Sequence, residues 1–454
     1  MFKKIEIWIL YLVLVFVFIS YIIFGAMVRR ETLGGGSYIP LITPISKVAL
    51  FIAEIPANIK NISKDDISRP NITTEQRFNK KKGFIGNPLS REAYLLLARY
   101  DGNKKESVVE LVDLKNFRVV HDWNANIDSI VSLVDTVLHK EHKNIKRDVS
   151  DFRTHMKHPF LLDDGSIIFA SKTLNKINKN STLEWMKEDD VYHHSIEEDF
   201  YGDLWICSSN FPFGKLEKYV GSNFENYADD SIVKISKDGK IKYKKSITEI
   251  FLENGLGHLI FGLDNFIYDP LHINDIQPVL SNSSHWKLGD LFISLRNQSM
   301  VFLYRPADNK IIWKSQGWFF HQHDVDILDD NRIAIFDNNT LPYPKKVSLY
   351  SEYVDGVNNV VIYDFENDIY SNYLKASLKK YDVRTITNGL SEILDNGDLF
   401  IEETNYGRYL YFNSDGSLLW EYINRANNGN VYKVSWSRIY YKKRDLQKIK
   451  KIFF

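Results

Sequence analysis

The chain has 454 residues, with 58 Lys or Arg against 58 Asp or Glu, so its formal charge is zero, and Cys207 is its single cysteine. The neutral balance argues against a nucleic-acid partner, and one cysteine excludes an intramolecular disulfide or a multi-cysteine zinc site. A composition of 44% apolar and 26% charged residues excludes wholesale disorder. At roughly 150 residues per domain the length suggests about three domains, unless one large all-β architecture takes most of it.

Residues 5–28, IEIWILYLVLVFVFISYIIFGAMV, are apolar apart from Glu6 and are followed by Arg29 and Arg30. About 20 such residues span a bilayer core as a helix, and the run exceeds the roughly 7–15 apolar residues of a cleavable signal. The reading is an uncleaved signal anchor over 1–30, with cleavage near Gly25 and Ala26 as the alternative. Lys3 and Lys4 favour the amino end inside, with the rest on the extracytoplasmic side, although Arg29 and Arg30 blunt that bias. Residues 39–58 are apolar too but carry three prolines and a lysine, so within a neck spanning 31–90 they read as a segment lying against membrane or domain, not as a second span.

Between about 90 and 435 no long 3.6-residue periodicity appears. Pairs of strand signals recur instead, each a turn rich in Asp, Asn and Gly followed by a short alternating apolar run. Six such units follow one another, four of them ending at Trp123, Trp185, Trp313 and Trp420. Repeated paired hairpins predict an all-β fold, a six-bladed β-propeller over 91–435, with the tryptophans packed between blades. Residues 436–454 hold Lys442, Lys443, Arg444, Lys448, Lys450 and Lys451. They read as a basic tail, either a closing helix or a contact for anionic lipid.

Some units begin with a histidine at a fixed offset before the turn that opens the inner strand. His194 precedes Gly202 by eight positions and His323 precedes Asn331 by eight; His158 precedes Gly165 by seven, and His272 holds the same place before a hairpin with an inserted SNSSHWKL. Equivalent positions in successive blades lie on one ring around the axis, so these histidines are expected to share a register and converge. Arg296, at the end of an inner strand after His272, is a permanently charged fork suited to an oxyanion. The same residues leave two other readings open. His321 and His323 with His272 and His194 offer imidazoles to zinc or copper, and an aromatic-rich propeller can serve as a non-catalytic binding platform. A quinone-dependent dehydrogenase-like propeller fits less well, because such folds usually repeat eight times.

The motifs HINDI (272–276), ISLRN (293–297) and QHDVDILDDNRIAIFDN (322–338), with HHSIEEDFYGDLW (193–205) and GRYLYFNSDGSLLWEY (407–422), resemble the bacterial arylsulfate sulfotransferases. That resemblance implies a six-bladed propeller that moves a sulfuryl group between phenols, without a nucleotide, a metal or any other cofactor, from a small aryl sulfate to a hydroxyl acceptor. It implies that His323 is the nucleophile that becomes sulfated, that His272 and Arg296 hold the sulfuryl oxygens, and that His194 assists the phenolic oxygen, with His193 and His158 as alternatives for that place. Asn274, Asn297 and His193 are expected to contact substrate. Asp275 departs from the family, which often has a small hydroxyl residue there. Residues 31–90 are shorter than the family's amino-terminal β-domain and Cys207 lacks a partner, so the oligomeric state is left open.

Overall fold

The computed structural model describes residues 6–32, 42–62, 73, 77–210, 227–262, 267–341, 352–354 and 356–454. The chain divides into two compact units, Met1–Pro70 and Asn71–Phe454. In the first, helix α1 (Ile7–Thr32) and helix α2 (Ile42–Ile62), which has Pro56 in its interior, pack on one another. Residues Ile7–Arg30 are long and apolar enough to cross a membrane, a property shared by anchors and signal sequences, and no other helix among the described residues is.

The second unit is built from antiparallel meanders. Strands β1 (Gly83–Gly86), β2 (Tyr94–Asp101), β3 (Glu106–Asp113) and β4 (Arg118–Trp123) come first. Then β5 (Lys157–Leu161), β6 (Ile167–Ile177), β7 (Leu183–Glu198), β8 (Leu204–Ser209), β9 (Asp230–Ile235) and β10 (Ile241–Ser246) pair in chain order as one six-stranded sheet. Another sheet holds β11 (Ile273–Pro278), β12 (Leu291–Leu295), β13 (Met300–Arg305) and β14 (Lys310–Gln316). The following one holds β15 (Asp324–Ile327) and β16 (Arg332–Asp337) with β19 (Asn359–Asp364) and β20 (Ile369–Asn372), interrupted by a ribbon of β17 (Thr340–Leu341) and β18 (Glu352–Tyr353). The last meander is β21 (Leu390–Ile393), β22 (Leu399–Glu403), β23 (Arg408–Phe412) and β24 (Leu418–Ile423), with β1 on its outer edge. Finally β25 (Arg438–Tyr440) returns to pair with β2, Tyr94 opposite Tyr440.

The arrangement is all-β and propeller-like, but its hydrogen-bonded sheets do not reproduce six separate units. The reason lies in β7, whose 16 residues pair with β6 over the first part and with β8 from Val191 onward, fusing what the repeat pattern separates. The boundaries drawn at 90 and 435 also fall inside the second unit. β1 pairs with β24 and β25 with β2, so both ends of the unit are stitched into sheets.

Apolar residues at alternate strand positions fill the space between neighbouring meanders. Leu96, Ala98 and Leu111 meet Leu161, Ile167 and Phe169, while at the ring's closure Phe400, Tyr411 and Trp420 meet Leu95, Leu97 and Val112. Trp123 and Trp420 are fully buried in those two layers, and Trp185 and Trp313 pack partly buried in others. Trp123 Nε1 donates to the Gly165 carbonyl at 3.0 Å, which satisfies its one polar atom.

The basic segment after 441 is a docked helix, Lys443–Phe453. Ile449 is buried, and Phe453 lies edge-on to Trp123 with ring centroids 5.8 Å apart. Lys448 Nζ donates to the Leu161 carbonyl at 2.6 Å and faces Asp163, Lys450 pairs with Glu92 at 2.8 Å, and Arg444 pairs with Glu198 at 3.1 Å. Several of the charges expected to be solvated or bound to lipid thus face carboxylates and a carbonyl of the same unit.

Two outcomes follow for stability. Replacing Trp123 with alanine removes a buried indole and its hydrogen bond and should cost about 3–5 kcal/mol, read from denaturant unfolding of the full chain. Truncation after Ser437 removes β25 and exposes the edge of β2; the product should be insoluble or protease-sensitive, whereas truncation after Lys443 should leave a folded chain of lower melting temperature.

Candidate active site

The innermost strands of successive meanders are tied to one another by side chains that accept a neighbour's backbone N–H. Ser195 accepts from Ile276 at 3.0 Å, Asp275 accepts from Val325 at 2.8 Å, and Asp324 accepts from Ser391 at 2.9 Å. Each tie fixes which residue of one strand stands beside which residue of the next. Just before the tie positions the chain turns through left-handed residues: His194 at φ 57°, His272 at φ 54°, His321 at φ 55° and Asn388 at φ 57°. Non-glycine residues take this conformation at a cost; at His194 it coincides with a bulge in the pairing of β7 with β8, and at His272, His321 and Asn388 it falls just before β11, β15 and β21 begin.

Counted from the ties, His194, Asn274 and His323 are equivalent, each preceding the tying side chain by one. His272 is two residues earlier, in the layer of His321. The expected common register therefore holds for His194 and His323 and fails for His272. The three rings still meet, with the His194 centroid 5.4 Å from His272 and 6.1 Å from His323. His158 joins them at 5.9 Å from His194, its other side against Trp436 at 4.3 Å.

Each ring has a distinct setting. His323 Nδ1 lies 2.6 Å from Asn338 Oδ1 and 3.1 Å from the His321 carbonyl, two acceptors that place the ring proton on Nδ1. The lone pair of Nε2 then accepts the Asn388 N–H at 2.9 Å. Burial, reinforced by the Arg296 charge, holds the His323 pKa well below the ordinary 6.5, so the ring is neutral near pH 7. His194 is likewise held neutral by burial and by the surrounding histidines. Its Nδ1 is 2.7 Å from His193 Nδ1, and His193 reaches Ser209 at 3.2 Å and Asp230 at 3.4 Å through Nε2.

His272 differs. Its Nδ1 lies 2.6 Å from Asp269 Oδ2. Burial lowers its pKa, but the Asp269 bond and charge, helped by Asp230, outweigh burial and the opposing Arg296, and the net direction is upward. Asn297 fixes its neighbour: its Oδ1 accepts from Arg296 Nη1 at 2.8 Å while its Nδ2 donates to the Asp269 carbonyl at 2.8 Å. Asn274 is fully buried, with Nδ2 donating to the Gln322 carbonyl at 2.7 Å and Oδ1 without a partner among the described residues. Asn274 and Asn297 are thus packed against backbone and guanidinium.

Sequence reasoning passed over Asp269, Asn338, Asn388 and Trp436. Asn338 closes the string QHDVDILDDNRIAIFDN and Asp269 lies three residues before HINDI, but only the fold shows which amide and which carboxylate reach a ring. Cys207 is buried behind His193 on β8, and burial pushes its thiol pKa well up. Among the described residues no group of three or more His, Cys, Asp or Glu side chains is arranged to hold a metal ion.

Further along the same innermost strands, past the histidines, a cavity of about 300 Å³ is lined by Glu197, Asp324, Asp326, Glu392 and Arg438, with Lys442 and Arg444 at the docked helix. Arg438 pairs with Glu197 at 2.9 Å. Burial, then the charge of Glu197, raises Asp326 to about 7, and burial, then Asp326, raises Glu392 to about 8, while Lys442 and Arg438 pull both the other way.

The sequence model of the arylsulfotransferase (ASST) family matches residues 158–425, beginning at His158 and covering well over half of the chain. The chain belongs to the arylsulfotransferase family. No curated protein matches it. Among solved structures it is similar to a protein of unknown function from Bacteroides caccae, at 11% identity and TM-score 0.44 over 76% of this chain and 98% of that one. It is similar to TolB from Acinetobacter baumannii, at 10% identity and TM-score 0.40 over 78% and 68% of the two chains. It is also similar to virginiamycin B lyase from Staphylococcus aureus, at 14% identity and TM-score 0.33 over 60% and 71%. Likenesses this distant carry no argument about activity.

The carboxylates of the lower cavity set a pH dependence. Their folded pKa values lie above the ordinary 3.8 and 4.5, so between about pH 4 and pH 8 the folded state binds more protons than the unfolded state, and stability falls as pH rises through that window. Melting temperature should drop from pH 5 to pH 8. In Glu392→Gln the drop should be smaller, and a profile identical to the wild type would contradict the assignment.

Proposed function

We propose that this chain transfers a sulfuryl group from an aryl sulfate to a phenolic or other hydroxyl acceptor, through a sulfated His323, in a ping-pong cycle. The observation that carries the reading is the meeting of the His194, His272 and His323 rings beside Arg296 within the arylsulfotransferase match.

The chemistry follows from the side chains. Sulfuryl transfer resembles phosphoryl transfer in that positioning and electrostatics do most of the work. A neutral His323 with its proton on Nδ1 offers Nε2 as nucleophile. In the resting site that lone pair is held by the Asn388 N–H. Attack requires the amide to release nitrogen, and an oxygen of the incoming sulfuryl group is its natural new acceptor. Arg296 supplies permanent positive charge to the sulfuryl oxygens, with Asn297 holding the guanidinium. His272, expected from the resemblance to hold sulfuryl oxygens, is assigned instead with His194 to the oxygen that leaves and, in the second half, the oxygen that attacks, because Asp269 on its Nδ1 suits the ring to proton transfer. Phenols leave readily because their pKa is only about 10.

We read the six-stranded sheet as two blades sharing β7, because Ile168 and Ala170 of β6 share a buried cluster with Ile206 of β8 and Val233 of β9; that division gives six blades. We read α1 as a membrane attachment with the second unit on the extracytoplasmic side, which accessibility of that unit to added protease in intact cells tests.

The decisive assay uses the full chain with 4-nitrophenyl sulfate, with and without an added phenol. Release that depends on the acceptor supports transfer; release indifferent to it makes the protein a sulfatase. His323→Asn should lose at least about 10³-fold in rate, and full activity in that variant overturns the nucleophile assignment.

A further inference from the structure

The connection that leads into β11 brings three charged groups to one place. Asp269 precedes His272 by three residues, and its Oδ2 meets His272 Nδ1 at 2.6 Å. The loop between them is clamped from the strand-end turn that carries Arg296. Asn297 Nδ2 holds the Asp269 carbonyl at 2.8 Å, Gln298 Nε2 holds the Pro270 carbonyl at 2.8 Å, and the Arg296 N–H donates to the His272 carbonyl at 2.9 Å. The Arg296 bond is backbone to backbone and extends the β11–β12 pairing, whereas strand pairing explains neither of the two side-chain bonds. Together they hold the carboxylate of Asp269, the ring of His272 and the guanidinium of Arg296 as one assembly.

The ring's orientation follows from this clamp. A carboxylate on Nδ1 fixes the proton there, so Nε2 is left for chemistry, and among the described residues Nε2 has no hydrogen-bond partner. The His194 ring stands edge-to-face at 5.4 Å on the open side. The charged or titratable groups that act on His272 are Asp269 on its own loop, Asp230 at the start of β9, and Arg296 after β12, and the ring in turn acts on His194, His321 and His323. Asp269 Oδ1 is buried with no partner of its own, so among the described residues the carboxylate's side-chain bond is the one from Oδ2 to His272 Nδ1. A short charge-assisted bond of this kind is among the stronger ones a protein makes.

We propose that Asp269 is a positioning residue for the transfer: it fixes the His272 ring so that Nε2–H points at the reacting oxygen, gives that oxygen its proton as the phenol leaves, and takes one back from the acceptor. The proposal rests on the sulfuryl-transfer reading. In the first half the S–O bond breaks with its electron pair going to the phenolic oxygen, which takes the proton of His272 Nε2, while the Nε2 lone pair of His323 forms the N–S bond. In the second half the acceptor hydroxyl gives its proton to His272 Nε2, its oxygen forms the new O–S bond, and the N–S pair returns to His323. His272 keeps its Nδ1–H bond to Asp269 throughout, and the cycle ends with every proton restored.

The test compares wild type, Asp269→Asn and Asp269→Glu as full-length protein, using selective ¹³C-histidine labelling, with the His272 signal assigned by its loss in His272→Gln. The His272 midpoint should fall by about one pH unit or more in Asp269→Asn and recover in Asp269→Glu. The same pair is assayed with phenyl sulfate and with 4-nitrophenyl sulfate. Loss of the acid should slow the phenyl ester at least about tenfold more than the activated nitrophenyl ester, which needs less protonation, and should shift the basic limb of the pH–rate profile downward. An unmoved His272 titration, or equal losses on both esters with an unchanged pH profile, overturns the proposal and leaves Asp269 a structural residue. If the wild type transfers nothing from either ester, the sulfuryl-transfer reading itself has failed, and the proposal falls with it.

Discussion

The innermost strands depend on one kind of contact, a side chain of one strand accepting the backbone N–H of the next. Ser195 to Ile276, Asp275 to Val325 and Asp324 to Ser391 form a chain of such ties across three successive junctions. A strand's outer neighbour fixes only its position within its own sheet. These ties fix it against the adjacent meander, and so determine the height at which each ring enters the centre. Asp275, which departs from the small hydroxyl residue expected of the family, fills such a place. Its carboxylate does there what the hydroxyl of Ser195 does one junction earlier, so the departure is a change of tying group. Burial and neighbouring acids raise the pKa of both Asp275 and Asp324 well above the ordinary carboxylate range.

Above the ties the site divides its histidines by charge with few groups. His323 and His194 are neutral because they are buried and because cations or other imidazoles stand nearby. His272 is drawn the other way by Asp269, with help from Asp230. A nucleophile must be unprotonated and an acid protonated at the same pH, and the fold pushes His323 and His272 in those opposite directions around one ring, His194, which stands 5.4 Å from His272 and 6.1 Å from His323. Asn338 and Asn297 complete the division by fixing a tautomer and a guanidinium without adding charge.

Much of this was legible in the chain itself. Alternating apolar runs and turn residues identify the meanders, since a period of two needs no tertiary knowledge, and the buried Trp123 and Trp420 sit where unit ends predicted them. The motif strings located the histidines and Arg296. Three things were not legible. The fusion of β5 to β10 depends on β7 continuing past the point where its pattern suggests a break. The register of His272 depends on ties made to other strands, so counting residues to the next turn misassigned it. The basic tail reads as solvated or lipid-facing because its partners, Glu92, Asp163 and Glu198, are scattered more than 240 residues upstream.

The placing of β25 orders events in time. Its partner β2 is made near the start of the second unit, and Arg438–Tyr440 follows it more than 300 residues later. At about 5–20 residues per second, β2 waits on the order of tens of seconds with one edge unpaired. That edge carries Leu95, Leu96 and Leu97, an invitation to pair with other chains. A nascent chain of this protein therefore carries an open, leucine-rich strand edge for the whole interval between β2 and β25, and only the pairing of β25 closes it.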